Sequence, residues 1–599
     1  MNSTGEDDRS RIGRRWQVAI VVGLALLYLS GVWLLPLQEP DEGRYGDIAA
    51  SMARTGDWLT PKLNGIRYYE KPPLYFWLGA VTVSVMGPTE AAVRLPSALA
   101  CLATVLLLMR WGRRAGGEKV ELLAGAIGGT LPLFALFAHM AMVDLAMTFL
   151  TTLALYSFWR GVVESQGAPR RHWILAFWVA CALAMLAKGP VGIAVPLVSV
   201  LGWLAVTRSW DGFREFVRPD GPLVTVLVAA PWFLAMESAN PGYLRDFFVG
   251  QNYARAVSGS MFDRNAPLWF YVPIMATYFL PWALFLPGAI RTLKLGRAAV
   301  LSPDARLRLF LACSILCPLM ILSLAQSKIG YYLLPLAPPI ALLAAVRAAE
   351  SWGSERILVD DRFRLKRSLI LAGFGVLCIA VAVTAAVGAR EDAKALNARW
   401  GRKGVSPERA KKGREYIAVI QGELPLAAAA ALLTGAGLMG AAALMLRRKH
   451  IESLLTASLA LAVLEFSALA IASRLPPLYT ARNIARCLEA RANPDEPILL
   501  LEEYMTSVPY YLRRPVTIAD ATYPMFGHAV GDAEADGLSL QDRPERLRPL
   551  LERHPSVLVV CRSADGEERA KRTGPGTWET LDRVGRYTIL RHRSRPALN

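Results

Sequence analysis

Long apolar runs recur along most of the chain, and they constrain the fold more than any other feature. The runs are about 18 to 22 residues long, which is the length that a helix needs to cross the hydrocarbon core of a membrane. Of the 599 residues, 54% are hydrophobic and only 19% are charged. A soluble protein of this length would carry more charge and would divide into several cores. The sequence therefore predicts a mainly α-helical, polytopic membrane protein.

The basic residues between the apolar runs indicate the orientation of the chain. Three arginines (Arg11, Arg14 and Arg15) precede the first run, residues 16–37, which no small-x-small cleavage pattern ends. We interpret this run as an uncleaved anchor with its N-terminus in the cytoplasm. Continuing the count gives about thirteen spans and places the C-terminal tail outside. Residues 388–423 are rich in Lys and Arg yet fall outside by this count, and we interpret them as a charged, partly helical lid.

The composition changes near residue 475, which predicts two domains. Residues 1–474 form the predicted transmembrane domain, with a first extracytoplasmic loop at residues 39–73. In residues 475–599 the segments ILLLEE, SVLVVCR and YTILR are typical of strands, whereas ARNIARCLEARA and DRPERLRPLLERH are typical of amphipathic helices. The alternation of strands and helices predicts a small extracytoplasmic α/β domain.

Charge and cysteine content exclude several classes of function. The net charge is +18, but the cations lie in short clusters between apolar runs, as the positive-inside rule describes, and no exposed segment interleaves basic and aromatic residues. We therefore expect no nucleic-acid partner. Five of the seven cysteines lie in apolar runs, and whether Cys487 and Cys561 of the tail form a disulfide stays open. No cysteine or histidine spacing suggests a zinc site, and we expect no cofactor.

The first loop, residues 39–73, gathers charge at the end of a membrane span, which is costly unless water, a partner or a ligand compensates it. The loop contains six carboxylates, five cations and four aromatic residues. Asp41 is a candidate base that accepts a proton from an attacking hydroxyl, or a carboxylate that orients a sugar. The alternative is an N-cap and first-turn acid of a helix that starts near Glu42. Lys71 stands between Glu70 and two prolines, where it would bind a phosphate or extend to the lipid head groups.

Three further positions carry polar groups that would face the same side of the membrane. Asp144 is flanked by apolar residues, so it either faces a cavity or caps a helix. Lys328 and Tyr332 are four residues apart, and in a helical turn they would share a face suited to a phosphate oxygen; the alternative is a pair of interfacial anchors. His139, at the end of a span, is more typical of a structural histidine.

These residues resemble a known family of integral-membrane glycosyltransferases that use polyprenyl-phosphate sugars and include the lipid A aminoarabinose transferase. The resemblance rests on EPDEGRYGDIA, GDWLTPKLNG, YYEKPPLYFW and AAVRLPSALA, and it continues through MVDLAMTFL, LAKGPVG and KIGYYLLPLAPP. Protein O-mannosyltransferases are more distant relatives. The family implies a GT-C fold, a polyprenyl-phosphate sugar donor, and an envelope acceptor such as lipid A. It also implies transfer on the outer side of the bacterial cytoplasmic membrane, with inversion at the anomeric carbon.

The same resemblance assigns roles to the residues that match the family's motifs. Asp41 is then the base or the carboxylate that orients the acceptor, and Asp144 is the second carboxylate of the cavity. The lipid phosphate is held by Lys71, Arg255 and Tyr332. Arg44, Glu70 and Lys328 support this group.

One departure from the family matters for metal binding. The aminoarabinose transferases have a Glu-His pair before the phosphate-binding Arg, whereas this chain has Gln251 and Asn252 before Arg255. We therefore predict no metal ion there. The alternatives are mannosyl-type transfer to protein Ser/Thr, a polytopic transporter and a non-catalytic envelope scaffold. A transporter would favour paired repeats and interrupted helices near the midplane, which this sequence does not display.

Overall fold

The computed structural model describes residues 3–164, 170–254, 266–285, 302–353, 361–388, 407–474, 481–519, 539–540, 544–562, 564–573, 576–584 and 586–594. The chain is mainly helical, as predicted. The helices up to residue 239 are α1 (Ser3–Leu29), α2 (Asp41–Thr55), α3 (Leu74–Met86), α4 (Glu90–Gly129), α5 (Pro132–Ala138), α6 (Val143–Phe158), α7 (Arg171–Lys188), α8 (Val191–Thr207), α9 (Trp210–Phe216) and α10 (Asp220–Ala239).

The later helices are α11 (Tyr271–Phe279), α12 (Pro303–Leu324), α13 (Ala337–Gly353), α14 (Asp361–Gly388), α15 (Pro407–Leu446), α16 (His450–Arg474), α17 (Arg482–Arg491), α18 (Ser507–Leu512), α19 (Pro544–Arg553) and α20 (Ala564–Thr573). Shorter π- and 3₁₀-helical turns lie at Trp159–Val163, Arg245–Ala254, Leu268–Phe270, Trp282–Phe285 and Gly330–Leu336. The strands are β1 (Lys62–Leu63), β2 (Ile66–Arg67), β3 (Ile498–Leu501), β4 (Thr517–Ala519), β5 (Ser539–Leu540), β6 (Ser556–Cys561), β7 (Thr577–Val584) and β8 (Tyr587–Arg593).

Within the described residues, seven helices are long and apolar enough to cross a membrane. Four further apolar helices are shorter, among them α3 and α8. The protein is therefore a multi-pass membrane protein, while the predicted count of about thirteen spans stays a prediction. The predicted lid at residues 388–423 lies partly outside the described residues.

The first helix ends earlier than the sequence predicts. We expected one apolar run over residues 16–37, but α1 ends at Leu29 and a turn follows it. The buried Arg94 explains the turn, because its guanidinium donates hydrogen bonds to the carbonyl oxygens of Val32, Leu35 and Pro36. A continuous helix would use those carbonyls within its own backbone ladder. The turn brings the chain to the start of α2.

The apolar run at residues 268–290, whose length predicts one span, is also not one continuous helix. In the described part of this segment, α11 ends at Phe279, two residues before Pro281, and a 3₁₀ turn follows at Trp282–Phe285. Proline restricts the preceding residue to extended backbone, and Leu280 has φ −69° and ψ 146°. Pro281 therefore interrupts the apolar run, which its length alone does not indicate.

The tail contains one mixed sheet with the strand order β5-β4-β3-β6-β8-β7. Strands β5, β4, β3 and β6 are parallel, and β8 runs antiparallel to both β6 and β7. The three segments predicted as strands correspond to β3, β6 and β8, and the two predicted helices correspond to α17 and α19. Both tail cysteines are free: the Cys487 thiol donates to Asp582 at 3.3 Å, and Cys561 is buried in β6.

The apolar core joins the first loop to this sheet. One buried cluster contains Tyr45 of α2, Phe76 of α3, and Leu500 and Ile518 of the sheet. A second, larger cluster fills the helical bundle around Trp111, Phe158 and Phe310. Because the first loop packs against both bundle and sheet, its charged residues are held between two rigid layers.

Candidate active site

Helix α2 begins at Asp41 and gives this carboxylate its surroundings. Pro40 occupies the N-cap position and Asp41 is the first helical residue, so Asp41 is a first-turn acid of α2, as the alternative expected, but not its N-cap. One turn later Arg44 places its guanidinium 3.3 Å from the Asp41 carboxylate. The Asp41 side chain remains 31% exposed. It is therefore accessible to a substrate while one cation fixes its direction.

A tight hairpin brings Glu70 and Lys71 back to α2. Strands β1 and β2 pair across Asn64 and Gly65, which both have positive φ (54° and 80°), as a two-residue Asn-Gly hairpin turn requires. The buried Glu70 then accepts a hydrogen bond from Arg44 at 2.7 Å, and its other oxygen lies 3.1 Å from the Lys71 ammonium. Asp41, Arg44, Glu70 and Lys71 thus form one continuous chain of charges.

The charge of Arg44, in the middle of this row of charged side chains, is fixed by the neighbouring groups. Burial would lower the pKa of the Arg44 guanidinium, but Tyr68, Glu70 and Asp41 hold that pKa well above its ordinary value. The Tyr68 hydroxyl donates to Glu70 at 3.0 Å, and burial raises the pKa of this tyrosine, so it stays a donor. The guanidinium is therefore a permanent cation between two carboxylates.

The second predicted carboxylate, Asp144, lies in the first turn of α6 and is almost fully buried. Met142 is at the N-cap position, so Asp144 does not cap the helix either. Its carboxylate forms an ion pair with Lys188, the last residue of α7. The Lys188 ammonium also lies 4.6 Å from the ring centroid of Tyr332. Cation–π contact and ion pairing together hold this ammonium in place.

A cavity of about 280 Å³ is lined by the two lysines, Lys71 and Lys188. Lys71, Lys188 and Tyr332 line it together with the amide side chains of Gln251 and Asn252. The rest of the lining is mostly apolar and includes Met147, Val191, Val195, Ile321, Leu322 and Pro335. Two ammonium groups beside an apolar channel match a ligand with an anionic head and a hydrocarbon tail.

The structure brings most of the predicted site residues together, with two exceptions. Arg255 lies outside the described residues. Lys328 donates to the Ala266 carbonyl at 2.8 Å rather than lining the cavity. The expectation that Lys328 and Tyr332 share a helical face is wrong, because Ile329 is extended (φ −141°, ψ 144°) and the 3₁₀ turn begins only at Gly330.

Sequence reasoning missed Lys188, although a signal was present. This lysine ends an apolar run and precedes Gly-Pro in LAKGPVG, so it is a charge at a span end like Lys71. It missed Glu39 and Glu42 as structural anchors as well. By contrast, His139 hydrogen-bonds the carbonyl oxygens of Leu27 and Ala135, a structural role like the one we expected.

The tail is hydrogen-bonded directly to the start of the first loop. Both Glu39 oxygens accept from Thr506 and Ser507: their backbone N–H groups lie at 2.8 Å, and their hydroxyls also donate. Burial raises the pKa of Glu39, although these hydrogen bonds oppose the shift. A Cβ on Gly43 would lie 2.5 Å from the Ser507 nitrogen, so only glycine permits this close approach.

A candidate metal centre is not found in the part of the chain that the structure describes. No three His, Cys, Asp or Glu side chains there come close enough together to hold an ion. At the positions where the related transferases carry their Glu-His pair, Gln251 is buried and the Asn252 amide donates to the Phe247 carbonyl at 2.7 Å.

The overall fold is shared with a solved membrane protein. The model superposes on the crystal structure of ArnT from Cupriavidus metallidurans bound to undecaprenyl phosphate, with a TM-score of 0.79 over 96% of this chain and 98% of that one. The sequence identity is 22%, so this likeness concerns the fold. The apo structure of the same protein gives a TM-score of 0.78.

Sequence comparisons point to the same group of enzymes. Residues 17–242 match the family of dolichyl-phosphate-mannose-protein mannosyltransferases. The chain is 31% identical over 369 residues to the undecaprenyl phosphate-α-4-amino-4-deoxy-L-arabinose arabinosyl transferase of Aeromonas salmonicida, covering 61% of this chain and 64% of that protein. The corresponding enzyme of Pectobacterium carotovorum is 33% identical over 377 residues, with 61% and 64% covered. The chain is thus similar, over less than two thirds of their length, to the undecaprenyl phosphate-aminoarabinose transferases, the group that its sequence resembles.

Proposed function

We propose that this protein transfers a sugar from a polyprenyl-phosphate donor to an envelope acceptor, with lipid A as the leading acceptor. The observation that carries the proposal is the cavity in which Lys71 and Lys188 lie beside an apolar lining. A sugar phosphate on an isoprenoid chain has the same division into an anionic and an apolar part. The printed names of the relatives and the ligand of the Cupriavidus structure support this donor class.

The chemistry follows from the charges around the cavity. The acceptor hydroxyl oxygen attacks the anomeric carbon, the bond from that carbon to the phosphate oxygen breaks, and the lipid phosphate leaves with the electron pair. A single displacement of this kind inverts the anomeric carbon. Lys71 and Lys188 stabilise the charge that develops on the phosphate, and we assign Arg255 to the same group.

We assign the proton of the acceptor hydroxyl to Asp41. The Asp41 carboxylate is partly exposed, whereas Asp144 is buried and already paired with Lys188, so Asp41 is better suited to meet a second substrate. Asp144 then orients Lys188, and Arg44 and Glu70 connect Asp41 to Lys71. Tyr332 supports the Lys188 ammonium through its ring.

The topology that we propose places this site outside the cytoplasm. About thirteen spans divide the chain into a transmembrane domain at residues 1–474 and an extracytoplasmic α/β domain at residues 475–599. The six-stranded sheet and its contacts with the first loop support a folded tail on the same side as Asp41. We propose the bacterial cytoplasmic membrane as the setting, because the relatives are named for an undecaprenyl phosphate donor.

Mass spectrometry of the purified protein in lipid nanodiscs, with a panel of polyprenyl-phosphate sugars, tests the proposal. We expect wild type to convert one donor and Asp41→Asn to lose about 10²- to 10⁴-fold in rate, the usual contribution of a general base. Asp57→Asn is the matched control, because Asp57 lies in the same loop, is equally exposed and pairs with Lys62 away from the cavity. Folded wild-type protein that converts no donor with any acceptor would overturn the proposal.

The second candidate function is mannosyl-type transfer to protein Ser/Thr, which the match of residues 17–242 to the mannosyltransferase family favours. The two functions share the donor class and differ in the acceptor. Parallel reactions with lipid A and with a Ser/Thr-rich peptide therefore separate them. Product on the peptide alone would replace the leading proposal with this one.

A further inference from the structure

A second pocket lies on α2, separate from the donor cavity. Its volume is about 300 Å³, and it is enclosed by the later turns of α2, the end of α3 and helix α18. Its polar lining consists of Asp47, Arg54, Ser84, Tyr510 and Arg513. The proposed reaction uses none of these residues, and none of them lines the donor cavity.

The pocket is lined by two arginines and by one carboxylate, Asp47, which lies near Arg54. The Arg54 guanidinium donates to the Arg513 carbonyl at 3.1 Å, which holds the two residues side by side. Neither guanidinium has a carboxylate within 4.0 Å among the described residues, whereas Arg44 of the first loop and Arg491 and Arg591 of the tail each have one. Two neighbouring guanidinium groups without a carboxylate are suited to a phosphate group, which accepts several hydrogen bonds at once.

A buried hydroxyl at the wall of the pocket also lacks a partner. Tyr510 is 2% exposed, and its hydroxyl oxygen has no hydrogen bond to any described group. A buried hydroxyl without a partner costs free energy, and because this oxygen has almost no accessible surface, an acceptor on a ligand reaches it only if the Tyr510 side chain shifts. Burial raises the pKa of Tyr510 well above its ordinary value, so the hydroxyl remains a proton donor.

The pocket borders an apolar surface. Val83, Ser84 and Pro88 belong to its wall, and on the same helix Leu78, Val81 and Val85 are exposed at helical spacing. An exposed apolar face on a helix of a membrane protein is suited to lipid chains. A ligand in this pocket can therefore place a phosphate at the arginines and hydrocarbon chains along α3.

We propose that this pocket binds the phosphorylated headgroup of a membrane lipid. Under the proposed function, on which this last step rests, that lipid is the acceptor. Arg54 and Asp41 are thirteen residues apart on α2, which corresponds to about 20 Å along the helix axis. A headgroup anchored at Arg54 and Arg513 must therefore extend along α2 by about that length to reach the carboxylate that we assign as the base.

Binding to the full chain, measured without turnover, tests the site itself. Native mass spectrometry would compare a phosphorylated glycolipid, its dephosphorylated form and inorganic phosphate. We expect the phosphorylated lipid to bind best and the Arg54→Gln/Arg513→Gln variant to lose about tenfold or more in affinity for it, as expected for lost charge-assisted hydrogen bonds. Arg548→Gln is the control, because Arg548 is an exposed arginine of the tail that pairs with Glu552 away from the pocket.

Three outcomes would overturn the site: equal binding of both lipids, an unchanged affinity in the double variant, or competition by inorganic phosphate as strong as by the lipid. Tyr510→Phe provides a second variant that removes only the hydroxyl, and it should weaken the same ligand by a smaller factor. Transfer assays separate this site from the proposed function. A raised KM of the double variant for the phosphorylated acceptor, with an unchanged KM for the donor, supports the acceptor assignment. If wild type binds the phosphorylated lipid preferentially but transfers no sugar, the lipid site is supported and the proposed function is wrong.

Discussion

Asp41 and Glu42 are adjacent carboxylates at the start of α2, yet they sit in opposite surroundings. Asp41 is partly exposed and meets one cation, Arg44, at 3.3 Å. Glu42 is fully buried, and each of its two carboxylate oxygens accepts a hydrogen bond from Arg94 at 2.7 Å. One of these oxygens also accepts a hydrogen bond from the Ala141 backbone N–H. The difference shows how a single step along a helix separates a residue available to a substrate from a residue that holds the loop in place.

The same contrast extends to the two arginines. Arg94 donates hydrogen bonds to Glu42 and to three carbonyl oxygens of the turn after α1, so the nitrogens of its guanidinium are all occupied within the protein. Arg44 belongs to a chain that continues through Glu70 to Lys71 and ends at the cavity. We infer that the first group supports the structure and the second serves the substrate.

The largest effect that this comparison predicts is on stability. Glu42→Gln leaves the buried Arg94 charge without its partner, which typically costs about 3 to 5 kcal/mol. We expect a strongly lowered Tm in lipid nanodiscs, or no recoverable folded protein, whereas Asp41→Asn should leave Tm nearly unchanged. Equal Tm values for the two variants would contradict the division into a structural and a functional carboxylate.

Asp47, also on α2, sharpens the comparison because it is buried without a cation in contact. Its carboxylate accepts from the Asn64 backbone N–H at 2.6 Å, and burial raises its pKa to about 6 despite this hydrogen bond and the nearby Arg54. Because folding raises this pKa, its stabilising contribution is present below about pH 4 and is lost as the pH rises through about 6.

Because of the Asp47 carboxyl, we therefore expect the free energy of unfolding to fall by up to about 3 kcal/mol between about pH 4 and about pH 7. Asp47→Asn should remove that part of the pH dependence and be more stable than wild type at neutral pH. Thermal unfolding of both proteins across this pH range measures the difference. Parallel curves for the two proteins would contradict the assigned pKa shift.

A smaller effect, on the affinity for the donor, is expected for Lys188 in the donor cavity. Lys188→Met should weaken binding of polyprenyl phosphate about tenfold to thirtyfold, because it removes a charge-assisted contact to the phosphate. Adding Asp144→Asn removes the unpaired carboxylate, so it should restore stability without restoring affinity. Lys62→Met, which changes an exposed lysine of the first loop, is the control. Recovery of donor affinity in the double variant would assign Lys188 a structural role alone.

The sequence predicted the parts of the fold and site that depend on local pattern. The apolar runs, the strands β3, β6 and β8 of the tail, and the charged first loop follow from composition and periodicity. Lys71 and Asp144 could be identified because a charge beside an apolar run requires compensation. The structure brings both of them to the surroundings of the donor cavity.

Pairings between distant segments could not be predicted. Lys188 and Asp144 are 44 residues apart, and Glu39 meets Thr506 across 467 residues, so no local pattern joins them. Asp41 and Glu42 carry the same charge one position apart, and only the burial of Arg94 distinguishes their roles. The early end of α1 has the same cause, because Arg94 hydrogen-bonds the carbonyls of the turn that follows it.

The most direct test of the central claim is a donor titration under single-turnover conditions with wild type, Asp41→Asn and Asp57→Asn. It gives the Kd for the polyprenyl-phosphate sugar and the rate of transfer in one experiment. We predict that Asp41→Asn keeps the wild-type Kd and loses about 10²- to 10⁴-fold in rate, while Asp57→Asn matches wild type in both. If Asp41→Asn instead weakened donor binding and left the rate at saturation unchanged, Asp41 would be part of the donor site and the account of it as the base would be wrong.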